Sequence, residues 1–436
     1  MRISIIGAGS GYMPGVIRGV LHRADDLAGA ELACFDIHEG HLDIMTRLAR
    51  AMVAARGADI VVTSHSRLEA ALEGADFVFT TFRPGGLAAR HLDESIPLAY
   101  GVVGQETIGP GGFFMALRSV PVLLDIAGVL ARVAPDAWIV NYTNPTNVVT
   151  DAVTRYTDAK IVGLCDQWVG DTATWAALLG LPAGGLEIDW IGLNHCTWAE
   201  RARLHGAPID VESALAAAPP PPASSASVSS AAAVTPHRDP PRMAELGRAL
   251  GVLVNSYAKY YFCHDEVVRE QRAKATTRAE DIMAMLPAYY ERVAAEAGRP
   301  DPRPGTERGG GEHGEFAVDV ICAIARDERR RLVVNTVNRG AIASLEAAAV
   351  VEVPCVVGGQ GPTPLVMGEL PRAVRGLTQA VHEYEWLAAD AAVQGDPAIA
   401  LRALMAHPLI TDKSVAEGIL RDGLAAHRAQ LPQFAR

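Results

Sequence analysis

The chain has 436 residues, 49% of them hydrophobic and 20% charged, which excludes a disordered polymer and leaves room for about two or three domains. Thirty-nine basic against fifty acidic side chains give a net charge of −11, which argues against a broad basic footprint for nucleic acid or an anionic membrane. No uninterrupted run of about 18 apolar residues occurs, so no membrane-spanning segment is expected, and the six scattered cysteines read as reduced thiols of a cytoplasmic enzyme.

The opening, MRISIIGAGSG, is too briefly apolar for a signal peptide and reads as a buried strand over 2–6 that runs into Gly7-Ala8-Gly9-Ser10-Gly11. Pro14 then leads a helical pattern over 15–22, and a second strand over 30–35 ends at Asp36. A strand-to-helix turn of glycines lets backbone N–H groups approach a pyrophosphate, and the helix N-terminus favours its charge. A carboxylate ending the second strand accepts hydrogen bonds from an adenosine ribose, which selects NAD over its 2′-phosphorylated form. Gly7, Gly9, Ser10, Gly11 and Asp36 are therefore the predicted cofactor-binding residues, although Tyr12 stands where G-x-G-x-x-G has its third glycine. The alternative is a tight turn that binds nothing.

Further strands are expected at 60–63, 77–82, 138–141 and 160–164, with helices at 40–56, 68–72 and around 120–132. That alternation predicts an α/β chain whose N-terminal part is a Rossmann-like, doubly wound parallel sheet. Arg83 and Arg90 flank the loop after the fourth strand, and Arg278 lies further on; each is an anion clamp or a solvated arginine. Asn141 and Asn144, in N-Y-T-N-P, hold sugar hydroxyls or cap a turn. Cys165-Asp166 end the strand at 160–164, and Asn194-His195 end the apolar run at 190–193. Strand ends of such sheets face the ligand crevice, where a thiolate with an imidazole suits a divalent transition metal. Taken singly, each is more often a buried cysteine or a satisfied core histidine.

Residues 211–241 carry AAAPPPPASSASVSSAAAVTP, which reads as a mobile surface insertion. Helical patterns follow at 243–262, 279–297 and 315–326, then a β-rich patch at 332–335 and 350–357, then helices from 372 to 428. The expected organisation is an NAD-binding domain over 1–195 and a mixed α+β, mostly helical second domain over 196–436. Tyr257, Tyr260 and Tyr261 share a face at helical spacing, a packing triplet unless a nearby cation lowers a phenol's pKa.

The combination resembles glycoside hydrolase family 4 over nearly the whole chain. The residues that carry the resemblance are FRPGGLAARHLDESIPLAYGVVGQETIGPGG (82–112), NYTNPTN, GLCD, GLNH, YAKYY, VVNTVNRGAI and VVEVPC. It implies a glycosidase that uses NAD and Mn²⁺ or another divalent metal, working by oxidation at sugar C3, proton abstraction at C2, elimination and water addition. It further implies Cys165 and His195 as metal ligands, Tyr257 as the base, and Asp166 as a metal-adjacent residue that serves as an acid. Arg83, Arg90, Arg278 and Asn144 fall to the sugar, and a homodimer or homotetramer is implied. Asp166 after the cysteine resembles α-specific members, whereas the FRPGG loop, Val254-Asn255-Ser256-Tyr257 and VVNTVNRGAI resemble 6-phospho-β-glucosidases. GGGEHGEF (309–316) departs from the latter. The expected activity is hydrolysis of 6-phospho-β-glucosides. The alternatives are an α-specific or unphosphorylated-hexoside glycosidase of the same family, and an NAD-dependent hydroxyacid or sugar dehydrogenase.

Overall fold

Six strands with apolar sequences pair in parallel: β1 (Arg2–Ile6), β2 (Ala30–Phe35), β3 (Ile60–His65), β4 (Phe77–Thr80), β5 (Trp138–Asn141) and β6 (Lys160–Gly163). Their spatial order is β3-β2-β1-β4-β5-β6, so the winding reverses between β1 and β4 and leaves a crevice at their C-terminal ends. The computed structural model describes residues 1–182, 184–217, 238–305 and 311–435. Helices cover this part of the sheet: α1 (Met13–His22), α2 (Glu39–Arg56), α3 (Leu68–Leu72), α4 (Gly86–Ala99), α5 (Gly109–Val133), α6 (Thr146–Tyr156) and α7 (Gln167–Leu178). Burial on both faces is why the central strands β1, β4 and β5 are nearly continuous apolar runs, whereas β3 at the edge alternates and exposes Val61.

The sheet does not stop at β6. After β7 (Leu186–Ile188) come β8 (Ile191–Leu193), β9 (Cys196–Ala199), β10 (Ala202–Leu204), β11 (Ala207–Ile209), β12 (Leu253–Val254), β13 (Arg330–Val337), β14 (Val350–Gly358) and β15 (Gly361–Pro364). The large sheet continues antiparallel in the order β6-β13-β14-β8-β9-β12, while β7, β10 and β11 form a small sheet of their own. Eight residue pairs join β13 to β14, but β6 meets β13 only through Gly163 and Asn335, and β8 meets β14 only through Gly192 and Glu352. The remaining helices are α8 (Val211–Ala217), α9 (Pro240–Leu250), α10 (Ala258–Phe262), α11 (His264–Arg272), α12 (Arg278–Glu296), α13 (Gly311–Ala325), α14 (Arg372–Gln394), α15 (Pro397–Ala406) and α16 (Lys413–Ala426).

Three local expectations change. The helix expected at 120–132 starts at Gly109; it is long and apolar enough to cross a membrane, yet 67% of its apolar stretch is buried against the fold, which makes it a core helix. The helix expected over 243–262 is broken: Gly251, at φ 69°, ends α9, and β12 intervenes before α10. Tyr257 therefore sits at the N-cap of α10, and its ring still packs on Tyr260 with centroids 5.6 Å apart, in the buried cluster that Tyr261 also joins. The insertion expected from 211 begins later, because α8 buries Val211 and Leu215; its Pro/Ala/Ser stretch over 218–237 lies outside the described residues. In the GGGEHGEF segment, Gly314 packs backbone to backbone on α1: a Cβ there would lie 2.0 Å from the Gly15 carbonyl oxygen. That contact makes a glycine at 314 a packing requirement of two closely crossing helices.

Candidate active site

The glycine loop hangs from β1 and turns into α1. Gly7 and Ala8 donate their N–H groups to the Phe35 carbonyl at 2.9 and 3.0 Å, which ties the loop to the end of β2. Gly7 sits at φ 93°, and a Cβ on it would lie 2.4 Å from the Thr81 carbonyl oxygen, so glycine is required there. Gly9 donates to the Asp36 carboxylate at 2.8 Å, His38 N–H donates to its other oxygen at 2.8 Å, and Ser10 Oγ accepts from Tyr12 N–H at 3.3 Å. Asp36 has lone pairs left for a ribose, and beside it a cavity of about 460 Å³ opens between Phe35, Ile37, Leu42 and Ser64–Ser66. Two tyrosines of α12 clamp the loop: Tyr289 hydroxyl donates to Gly11 O and Tyr290 hydroxyl to Gly9 O, both at 2.8 Å. This loop with its carboxylate and adjoining cavity is the cradle a dinucleotide fits.

The second group gathers at the far side of the switch point. Cys165 follows β6, and His195 occupies the two-residue turn between β8 and β9 with φ 63°, a left-handed conformation that costs a non-glycine residue free energy. Cys165 Sγ and His195 Nε2 lie 3.6 Å apart. Metal bonds of roughly 2.3 Å to sulfur and 2.0 Å to nitrogen at a tetrahedral angle put two ligand atoms about 3.5 Å apart, so this pair fits a single divalent ion with positions left open. Burial, reinforced by the charges of Glu352 and Asp166, pushes the Cys165 thiol well above its ordinary range. A coordinated cation reverses that balance and deprotonates the thiol.

Tyr257 completes the group. Its ring stacks on His195 with centroids 3.9 Å apart and planes 4° from parallel. Its N–H is held by Asn255 Oδ1 at 2.7 Å, and Asn255 in turn donates to Thr197 O at 2.9 Å, so the β9–β12 pairing aims the ring. Burial first, then the neighbouring Tyr260 and Cys165, push the Tyr257 phenol well above its usual value, while a hydrogen bond with Thr107 opposes them. Only positive charge nearby makes such a phenol a base at neutral pH. Asp166 is half-buried at the N-cap of α7, next to Cys165.

The arginines fall into a network. Arg83 pairs with Glu106, and Arg90 pairs with Glu106 at 2.7 Å and with Glu94 at 2.7 Å. Glu94 also accepts from Ala279 N–H at 3.0 Å, which docks the start of α12, with the exposed Arg278, onto the same cluster. Below it, Arg118 holds the Pro84 carbonyl at 3.1 Å and grips Asp93 with two donors at 2.9 and 2.6 Å, and His427 closes the triad at 3.1 Å from Asp93. Arg90 thus gives its donors to carboxylates, whereas Arg278 faces solvent. Asn144 is half-buried and accepts from Thr146 Oγ at 3.4 Å at the start of α6, and Asn141 is spent on Thr80 and Thr143.

The structure therefore brings Cys165, Asp166, His195 and Tyr257 together, and separately Gly7, Gly9, Ser10, Gly11 and Asp36. Sequence reasoning passed over Glu106, Tyr289, Tyr290 and Glu352. Glu352 carried a signal: it is the one acid in VVEVPCVV, a strand that is otherwise apolar. Its carboxyl accepts from Asn194 at 3.0 Å and Asn335 at 3.1 Å, and burial pushes its pKa up to about 7.

A Rossmann-like sheet with a glycine loop at one strand end and a thiol–imidazole–phenol group at another defines a dinucleotide-dependent enzyme. Malate dehydrogenase of Cryptosporidium parvum, at 15% identity and a TM-score of 0.54, shares this fold. The description of family 4 glycosyl hydrolases matches residues 2–181, and that of the family's C-terminal domain matches residues 190–410. The chain belongs to family 4 of the glycosyl hydrolases, and it is a glycosidase. The "Probable 6-phospho-beta-glucosidase" of Bacillus subtilis (strain 168) is 39% identical over 100% of this chain and 98% of its own length. The 6-phospho-beta-glucosidase of Escherichia coli (strain K12) is 33% identical over 100% and 97%. The structure of the Thermotoga maritima 6-phospho-beta glucosidase with manganese, NAD⁺ and glucose-6-phosphate is 27% identical, covers 99% of each chain and superposes with a TM-score of 0.83. A 6-phospho-alpha-glucosidase from gut microorganisms, with NAD and glucose-6-phosphate, reaches 28% identity, 99% of each chain and a TM-score of 0.88.

Proposed function

We propose that this enzyme hydrolyses 6-phospho-β-glucosides with NAD⁺ held on the Gly7–Gly11 loop and a divalent ion, Mn²⁺ by likeness to the relatives, held by Cys165 and His195. The observation that carries the reading is the stack of Tyr257 on His195, with Cys165 Sγ 3.6 Å from the same imidazole. When bound, NAD⁺ supplies a hydride acceptor for sugar C3, and the metal supplies Lewis acidity to the C2 and C3 oxygens, which acidifies the C2 proton. Tyr257 takes the C2 proton, its reach fixed by the Asn255 hold on its backbone. Asp166 hands a proton to the departing C1 oxygen. Asp36 accepts from the adenosine ribose, Asn144 binds a sugar hydroxyl, and Arg83 and Arg278 meet the 6-phosphate. Arg90 aligns this group through Glu106 and Glu94.

The reading includes an NAD-binding unit over 1–195 and a second over 196–436, supported by the separate family matches at 2–181 and 190–410. It also includes a cytoplasmic setting, supported by six free cysteines, and a homodimer or homotetramer, which light scattering would distinguish. A second reading is favoured by two features: the 6-phospho-alpha-glucosidase structure superposes with the higher TM-score, 0.88 against 0.83, and the Asp166 position suits an α-specific acid.

The experiment is hydrolysis of four nitrophenyl glucosides, α and β, each with and without a 6-phosphate, in the presence of NAD⁺, Mn²⁺ and a reductant. Cleavage of the phosphorylated β-compound alone supports the reading. Cleavage of the phosphorylated α-compound instead moves the enzyme to the second reading, and net accumulation of NADH without cleavage overturns both in favour of a dehydrogenase.

A further inference from the structure

We propose that Glu352 is the positioning residue that brings Cys165 and His195 within reach of one ion; the inference rests on reading those two as the metal ligands. The ligands arrive on strands that are not neighbours. Between β6, which leads to Cys165, and β8, which leads to His195, stand β13 and β14. The two outer seams are the thinnest in this part of the sheet, with one residue pair each, Gly163 with Asn335 and Gly192 with Glu352, against eight pairs between β13 and β14. Backbone pairing alone therefore sets the Cys165–His195 separation loosely.

One carboxylate oxygen links the groups at both seams: it crosses the β14–β8 seam to Asn194 directly and reaches the β13–β6 seam through Asn335. Glu352, 2% exposed on β14, accepts from Asn335 Nδ2 at 3.1 Å and from Asn194 Nδ2 at 3.0 Å on that single oxygen. Asn335 reaches on to the Gly163 carbonyl at 3.3 Å, two residues before Cys165. Asn194 immediately precedes His195, and its side chain also hydrogen-bonds Cys165. The His195 backbone is at φ 63°, a conformation that persists only where the surroundings over-determine it, and the Asn194–Glu352 bond is one such restraint. A buried carboxylate without a cation partner is costly, and its retention here is explained by what it holds: the groups that orient metal ligands typically change metal affinity by about 10- to 100-fold when removed.

The test is Mn²⁺ binding followed by the electron paramagnetic resonance signal of the free ion, in the full-length protein saturated with NAD⁺. Glu352→Ala is expected to raise the Mn²⁺ Kd by about 10- to 100-fold with NAD⁺ affinity unchanged, while Glu352→Gln, which keeps the acceptor oxygen and the size, stays within about threefold of wild type. No loss in Glu352→Ala, or equal loss in both variants, overturns the proposal. Cys165→Ser is the control for the underlying reading: unchanged Mn²⁺ binding there removes the metal site itself, whereas weakened binding there with a normal Glu352→Ala removes only the role of Glu352. Should Glu352→Ala fail to fold, Asn194→Ser takes its place, and a Kd within threefold of wild type in that variant overturns the proposal.

Discussion

The two halves of the candidate site are built in opposite ways. The cradle for the dinucleotide is local: Gly7, Gly9, Ser10, Gly11 and Asp36 lie on one strand-turn-helix-strand unit, with backbone bonds to Phe35 and Asp36. The chemical group is assembled: Cys165, His195, Tyr257 and Glu352 come from four separate places, each at or beside a strand end of a sheet whose outer seams are single pairs. A local site tolerates loosening elsewhere in the molecule, because its geometry is set by a few adjoining dihedrals. An assembled site depends on every packing contact between its parts.

The largest blow to the assembled half is Cys165→Ser. It is expected to cost about 10⁴-fold in kcat/KM, roughly 5 kcal/mol of transition-state stabilisation, while NAD⁺ binding measured by fluorescence stays at the wild-type value. Loss of NAD⁺ affinity in that variant would erase the distinction between the halves. Tyr257→Phe comes next, with a loss of about 10³-fold in exchange of the C2 proton into deuterated solvent. Exchange at the wild-type rate would take the base role away from Tyr257.

A third test addresses the stability of the assembled half as pH falls. His407 is wholly buried against Tyr261 and Tyr384, its Nε2 has no hydrogen-bond partner among the described residues, and burial lowers its pKa to about 3. The folded chain keeps it neutral while the unfolded chain protonates it below about pH 6.5, so between pH 6.5 and 3 the unfolded state binds more protons and stability falls with acid. The contribution is fully present above pH 6.5 and amounts to about 3 kcal/mol lost by pH 4. His407→Asn, which keeps an acceptor for the Leu409 N–H, should show a flatter decline in urea stability over that range; parallel curves would exclude His407 as the source.

Arg278→Ala is expected to raise KM about tenfold for a 6-phosphorylated substrate and little for its plain analogue, a difference of about 1.4 kcal/mol. Equal changes would argue against a phosphate contact. The smallest expected effect probes the local half. Tyr290→Phe deletes the bond to Gly9 O, worth about 1 kcal/mol, so NAD⁺ should bind about fivefold more weakly with kcat unchanged. A drop in kcat would mean that the clamp from α12 reaches the assembled half as well.

Much of this architecture was legible beforehand because its signals are short-range. Strand-helix alternation, the glycine turn and a carboxylate at a strand end are patterns of neighbouring residues, and Cys165 and His195 were visible as reactive side chains where apolar runs stop. The single helix expected over 243–262 was not legible as broken, because Gly251 and the pairing of β12 with β9 interrupt it before Tyr257 opens α10. Glu106 was hidden in the loop after α4, since nothing local tells a carboxylate that gathers Arg83 and Arg90 from one that faces water. The buried Arg118–Asp93–His427 triad spans 25 residues on one side and 309 on the other, beyond any periodicity.

The sequence by itself determined the parallel sheet, the dinucleotide loop and the membership in family 4, because dihedral preferences, apolar runs and turn glycines act over a few residues. The tertiary structure alone decided that a cysteine, a histidine and a tyrosine drawn from three strand ends meet within 4 Å, and that one buried carboxylate stands behind them. That meeting is a matter of which strands lie side by side and in what register. Such pairings are chosen by the free energy of burying the whole sheet, to which no short stretch of residues testifies.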